Sequence, residues 1–203
     1  MDKWIRIPSD QEIEQAISAL KTNGINAEVV NTGREAKEKV LSLLPDGARV
    51  LTSTSVTLET LGIKDEIDNS DRVVSVRKEY MALDHAKDGA KIRHLRSTPE
   101  IVIGSVHAVT KNGEVLIASN TGSQIASYVY GADKAIWVVG VQKIVENLEE
   151  GQNRIYDYVV PLEDERLRKL FGKGTSLNKL LIFNKETIKD RVTLIFVKEK
   201  LGF

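Results

Sequence analysis

Thr52-Ser53-Thr54-Ser55-Val56-Thr57 puts five side-chain hydroxyls into six residues. The run follows an apolar strand, Ala48 to Leu51, and leads into a helix expected over Val56 to Leu61, with Ser55 as its N-cap. Hydroxyls and free backbone N–H groups converge at such a strand-to-helix turn, and the helix dipole favours an anion there. Capping occupies one or two of the hydroxyls, and the surplus points to a cradle for a phosphate or a carboxylate. The glycine spacing and lysine of a nucleotide P-loop are missing, which argues against ATP or GTP hydrolysis. A second run of this character, Ser119-Asn120-Thr121-Gly122-Ser123-Gln124, joins the strand Val115–Ala118 to a helix expected from Gly122 to Tyr130. Both loops sit at carboxyl strand ends, where open α/β sheets place ligands. The candidate ligand contacts are Ser53, Thr54, Ser55, Thr57, Asn120, Gly122, Ser123 and Gln124, with Lys143, after a third strand, supplying charge.

Catalysis would need a general base beside this cradle. His107 and Glu59 are the candidates. His107 interrupts a buried strand, and an unperturbed imidazole titrates near neutrality. The competing reading is a core histidine bonded to backbone. Glu59 lies in the helix behind the first hydroxyl run. Glu114 sits in a hairpin turn and reads as solvated. Asp84-His85 invites a metal reading, but adjacent residues point to different sides of a helix and no further ligand stands at metal spacing. No metal site is assigned.

The elements that position these residues are readable around Ile101–Ile144. An apolar run, Ile101 to Val109, meets Val115–Ala118 across Lys111-Asn112-Gly113-Glu114, and Asn-Gly between such runs predicts a hairpin with a type I′ turn. Ala135–Gly140 is apolar throughout, as expected of a strand covered on both faces. Before this stretch, Ser9 and Glu12 form a capping box for a helix carrying Ile13, Ala16, Ile17 and Leu20. Ala27–Val30 reads as a strand and Thr32–Leu44 as a second helix. Arg72–Val76 reads as an edge strand, and the polar stretch Arg77–Arg96 as a lid over the sheet. After Lys143, the spacing predicts a helix over Ile144–Ile155, a break at Pro161 and a charged helix from Leu162 to Phe171. Gly172–Ser176 reads as a linker, with a closing loop as the minority reading. Lys179–Asn184 and Val192–Val197 are the last strands. The whole, residues 1–203, reads as a single domain with 1–46 packed on it. The alternation of strands and helices predicts an α/β fold with a mainly parallel, Rossmann-like sheet.

Composition narrows the function. The 203 residues are 41% hydrophobic and 29% charged, a globular balance, and the formal net charge is 0. That neutrality removes the broad electrostatic case for nucleic acid or an anionic membrane as partner. With no cysteine, the chain holds no disulfide, thiolate nucleophile, iron–sulfur cluster or cysteine-ligated metal. The start, MDKWIRIPSD, is too polar for a signal peptide, so a cytoplasmic protein is expected.

Taken in order, four stretches resemble the lactate-utilisation (LUD) domain family. They are Val50 to Glu59 with Gly62; Ser105 to Thr110 with Asn112-Gly113; Thr121 to Ala126; and, most specific, Val138-Val139-Gly140-Val141-Gln142-Lys143-Ile144-Val145 with Leu148-Glu149 and Arg154-Ile155 behind it. The resemblance covers about residues 47–184. Many family members have Asn at the position of Gln142, and Asn-Arg at Ser123-Gln124, which suggests a subfamily. The resemblance implies a fold similar to glucosamine-6-phosphate deaminases, ribose-5-phosphate isomerases and CoA transferases. It also implies a link to bacterial L-lactate oxidation to pyruvate, in which iron–sulfur subunits would be partner proteins. The resulting expectation is an accessory protein that binds a small anionic or phosphorylated metabolite. An isomerase- or CoA-transferase-like enzyme and a structural subunit with a vestigial pocket are the alternatives. The cofactor is left unassigned, and a homo-oligomer is compatible with the sequence.

Overall fold

A computed structural model of the chain describes residues 2–203. Its strands are β1 (Asn26–Val30), β2 (Arg49–Thr52), β3 (Val74–Ser75), β4 (Ile101–Gly104), β5 (Ala108–Thr110), β6 (Val115–Ser119), β7 (Lys134–Gly140), β8 (Ile144–Val145), β9 (Lys179–Phe183) and β10 (Val192–Val197). The helices are α1 (Asp10–Thr22), α2 (Gly33–Ser42), α3 (Val56–Thr60), α4 (Ile63–Asn69), α5 (Val76–Met81), α6 (Gly89–Ser97), α7 (Leu148–Arg154) and α8 (Val160–Phe171). Two π-helical turns, Ser127–Gly131 and Ile155–Val159, join them.

The main sheet has six strands in the order β1-β10-β7-β4-β2-β3, and each neighbouring pair is parallel. This is the expected mainly parallel α/β class. Strand β7 shows why the sequence folds this way. Ala135, Trp137 and Val139 enter one hydrophobic core with Ile13, Leu20 and Leu194. Ile136 and Val138 enter the other with Val40, Leu58 and Ile195. Alternate side chains of a strand face opposite sides, so a run without polar residues demands cover on both. Helix α1 supplies part of it on one side; α2, α3 and α4 supply it on the other.

A second sheet of four strands, β8-β5-β6-β9, stands beside the first. It explains two departures from the sequence-based reading. The run Ile101–Val109 is not one strand: β4 belongs to the main sheet and β5 to the second, with Ser105-Val106-His107 crossing between them. Ile144-Val145 is not the start of a helix; it pairs with Val109 and Thr110 as β8. So β4 and β7, adjacent in the main sheet, both leave it at their carboxyl ends, and their continuations pair again in the second sheet.

The hairpin β5–β6 forms as expected, but its turn is not type I′. Gly113 N–H donates to Thr110 O at 3.0 Å and Thr110 N–H to Glu114 O at 2.9 Å. Gly113 has φ 86°, and Asp190 is the one non-glycine with positive φ among the described residues, so Asn112 does not share it. That is the pattern of a three-residue loop with a left-handed glycine. Pro161 does not break the chain either. It stands in the first turn of α8, behind the wide Ile155–Val159 turn, where its missing N–H costs little. Nor does Arg77–Arg96 form a lid: α5 and α6 bury Tyr80 and Ile92 in the core, which fastens them to the sheet.

Candidate functional site

A cavity of about 660 Å³ opens where β4 and β7 leave the main sheet. This is the carboxyl edge, where an open α/β sheet leaves a crevice between diverging connections. Three segments form its floor: Ser53–Thr57 after β2, Ser105–His107 after β4, and the 3₁₀ turn Val141–Lys143 after β7, of which Lys143 faces it. Ser119, Asn120, Ser123 and Gln124 form one wall. The opposite wall is α8, through Glu163, Arg166, Leu170 and Phe171, continued by Gly174–Leu177. Of the lid expected at Arg77–Arg96, Arg77 alone reaches the cavity, and the segment read mainly as a linker lines it instead.

Lys143 is the centre of the floor. Its residue is 3% exposed. Nζ lies 3.1 Å from Ser105 Oγ, 3.1 Å from Val106 O and 3.4 Å from Thr57 Oγ1. All three partners are neutral oxygens, and no described carboxylate lies within ion-pair reach. Burial, and then the positive charge of Arg154, hold its ammonium well below the usual lysine range. Arg154 is itself buried; its Nη1 donates to His107 O at 2.6 Å, while Nε and Nη2 have no protein partner.

The turn that carries Lys143 is held from behind. Gln142 Nε2 donates to Leu201 O at 2.9 Å, and Leu201 N–H donates to Gln142 Oε1 at 3.3 Å. Gly140 makes room for this clamp, because a Cβ there would stand 2.2 Å from Gln142 Oε1. The same clamp brings Gly202 against Thr57 and Lys143. Across the floor, Tyr128 donates to Ser105 O at 3.3 Å, and its phenol is pushed up to about 12, chiefly by burial.

The residues singled out in the sequence fall into two groups. Many serve the fold. Ser55 Oγ caps α3 by accepting from Leu58 N–H at 3.4 Å. Asn120 donates to Ser176 O at 3.1 Å and ties the two walls together. Gln124 accepts from Ser119 Oγ at 3.0 Å and donates to Ala118 O at 3.2 Å. Gly122, with φ 84°, shapes its loop but does not line the cavity. Thr54 and Ser123 line the cavity with no side-chain hydrogen bond given to the fold. The helix-dipole argument weakens, because α3 has five residues and the second hydroxyl run enters a π turn. The charged side chains that line the cavity besides Lys143 are Glu59, Arg77, Glu163 and Arg166. The sequence reading missed Ser105, Arg77 and Arg166. Ser105 was visible as the polar break before His107; Arg166 was not, because it resembles any surface i,i+3 partner of Glu163.

His107 does not titrate near neutrality. Its Nδ1 accepts from Ala118 N–H at 3.0 Å, which leaves Nε2 as the protonated nitrogen. Burial, then Lys143 and Arg154, push its pKa down to about 3. Glu59 stands on the cavity wall, with Oε2 4.0 Å from Arg166 Nη1; Arg166 in turn grips Glu163 at 2.7 and 2.8 Å.

The depressed histidine has a consequence for acid stability. The unfolded chain takes up this proton near pH 6.5, whereas the folded one resists until about 3. Stability conferred by neutral His107 is therefore complete above about pH 6.5 and is lost as pH falls toward 3, at up to about 1.4 kcal/mol per unit. His107→Asn, whose amide oxygen can accept from Ala118, should lose stability less steeply between pH 7 and 5 in urea unfolding. Equal slopes for the two proteins would show that His107 protonates without penalty.

A model of the LUD domain matches residues 13–177 of this chain. The chain belongs to the LUD-domain family. That family is associated with lactate utilisation. A crystal structure of a DUF162 family protein from Deinococcus radiodurans is similar to this LUD domain, with a TM-score of 0.56 and 16% sequence identity, over 94% of this chain and 99% of that one. At that identity the likeness shows the fold. A D-ribose-5-phosphate isomerase in complex with phospho-erythronic acid is a more distant likeness, with a TM-score of 0.36 and 16% identity, over 69% of this chain and 64% of that one. No curated relative matches the chain. No helix of this LUD domain, among the described residues, is long and apolar enough to cross a membrane.

Proposed function

We propose that this LUD domain binds a small anionic metabolite, a carboxylate or a phosphate ester, in the cavity where β4 and β7 part, as an accessory protein of organic-acid utilisation. The observation that carries the reading is Lys143: a buried amine at the cavity floor whose partners are all neutral oxygens. Burying a cation without a counter-charge is unfavourable, and an anion entering the cavity supplies that charge. Thr54 and Ser123 add hydroxyls, and Arg166 stands in the α8 wall. The two bases singled out in the sequence are poorly placed for proton transfer: His107 is committed to Ala118 and stays neutral, and Glu59 is drawn to Arg166, so binding fits the geometry better than isomerisation through either of them. Lactate oxidation needs an electron acceptor. With no cysteine among its 203 residues, the chain offers no thiolate ligands for an iron–sulfur cluster, so any step that runs through such a cluster would fall to partner subunits.

A thermal-shift screen of lactate, pyruvate, oxalate, sugar phosphates, CoA esters and nucleotides tests the reading. An anion present at a hundred times its dissociation constant should stabilise the protein by about 2.7 kcal/mol. A screen in which no anion raises the melting temperature, or in which only neutral compounds do, would overturn it.

A further inference from the structure

We infer that Lys143 is a covalent nucleophile, forming an imine with a small anionic compound that carries a carbonyl group, either a 2-oxo acid or an open-chain sugar phosphate. This rests on the reading of the cavity as an anion site and adds the bond formed there. The geometry separates a nucleophile from a mere counter-charge. A lysine that serves as a fixed positive charge gains from a nearby carboxylate, which keeps it protonated. Lys143 has none among the described residues: it is 3% exposed, its neighbours are Ser105 Oγ, Val106 O and Thr57 Oγ1, and the charged group that acts on it is the buried cation Arg154. Desolvation beside another cation is the arrangement that leaves an amine neutral and nucleophilic. Lys143 lines the cavity, and Gly202 leaves no side chain between them: a Cβ there would stand 3.4 Å from Nζ and 2.6 Å from Thr57 Oγ1.

The step balances without a redox partner. The Nζ lone pair adds to the carbonyl carbon, and the carbonyl π pair moves onto oxygen. One amine proton passes to that oxygen, giving a carbinolamine; Ser105 Oγ and Thr57 Oγ1 are within hydrogen-bond reach of Nζ to relay it. The second amine proton leaves with the hydroxyl as water, and the C=N bond forms. The imine nitrogen then takes a proton from solvent, and the compound's own anionic group balances the positive charge this creates.

The test treats the full chain at pH 7 with cyanoborohydride and either pyruvate or glyceraldehyde 3-phosphate, followed by intact mass and peptide mapping. The expected result is one reduced adduct per chain, on the peptide containing Lys143, saturating with one of the two compounds and suppressed by oxalate. Which compound labels identifies the carboxylate or the phosphate as the anionic group. Lys143→Met should abolish the adduct, and mapping of the unaltered protein decides the matter even if that variant folds poorly. Adducts confined to surface lysines, or none, while the same compounds still raise the melting temperature, would overturn the covalent role and leave the anion site standing. Neither adduct nor thermal shift with any anion would remove both.

Discussion

Arg191→Met should lower the unfolding free energy by about 3–5 kcal/mol, the usual cost of breaking a buried pair from one side. Arg191 and Glu186 have side chains 2% and 6% exposed, with Nε 2.6 Å from the carboxylate. The guanidinium does more than pair. Nη2 donates to Tyr128 O at 2.8 Å and Val129 O at 2.9 Å, and Nη1 to Ala132 O at 3.3 Å. Those carbonyls belong to, or directly follow, the π turn Ser127–Gly131, which leaves them without the next turn's N–H groups. Methionine fills the volume but donates nothing, so a carboxylate and several carbonyls stay buried and unmatched. Because the turn carries Tyr128 to the cavity floor, ligand affinity should fall with stability. Urea unfolding at pH 7 gives the measurement. A loss below about 1 kcal/mol would mean that the turn holds its shape without Arg191. Adding Glu186→Gln to the variant should recover part of the loss, because the orphaned charge is then gone.

How far the sequence could be read depended on whether a feature was local. Ile136–Val139 was legible as a doubly covered strand because its lack of polar residues leaves no face for water. The hairpin at Asn112-Gly113 was legible for the same reason, although its turn type was not. Asn-Gly fits both loop lengths, and the choice here was made by pairing of Thr110 with Glu114. Pairing across long separations left no trace. Nothing in Val192–Val197 says that it lies between β1 and β7 rather than at an edge. The division of Ile101–Val109 between two sheets is marked by Ser105 and His107 alone, and two residues of β8 are too few to show a period.

The site was legible as chemistry and not as allocation. Two hydroxyl-rich loops do converge on one cavity, but only the first follows a parallel strand of the main sheet; Ser119–Gln124 follows β6, which is antiparallel to both its neighbours in the second sheet, so the carboxyl-edge rule accounts for one loop and not the other. Which hydroxyls remain for a ligand depends on tertiary neighbours: Ser176 claims Asn120, and Ala118 and Ser119 claim Gln124. The charge state of His107 and Lys143 depends on burial and on Arg154, which is 47 residues from His107 in the chain. No window of sequence carries that information.

Lys143→Met should make the unliganded protein more stable and the liganded one weaker. Methionine is similar in length and needs no hydration, so at pH 7 the variant should gain about 1–3 kcal/mol by shedding the cost of a buried amine without a counter-charge, offset in part by the donor that Val106 O loses. The sign with pH follows from the depressed ammonium. The folded state releases this proton more readily than the unfolded chain, whose lysine titrates near 10.5. Between those two points the unfolded state binds more protons, and unaltered protein gains stability as pH rises. The variant lacks that gain, so its advantage should shrink from pH 7 toward pH 10. Affinity should move the other way. Loss of a charge-assisted bond costs about 1.5–3 kcal/mol, roughly a ten- to hundredfold weaker dissociation constant for an anion. Urea unfolding at pH 7 and 9.5, with calorimetric titration of whichever anion the thermal screen selects, measures all three effects. A variant that is less stable at pH 7 and binds the anion unchanged would make Lys143 a structural ammonium, satisfied by Ser105, Val106 and Thr57 alone.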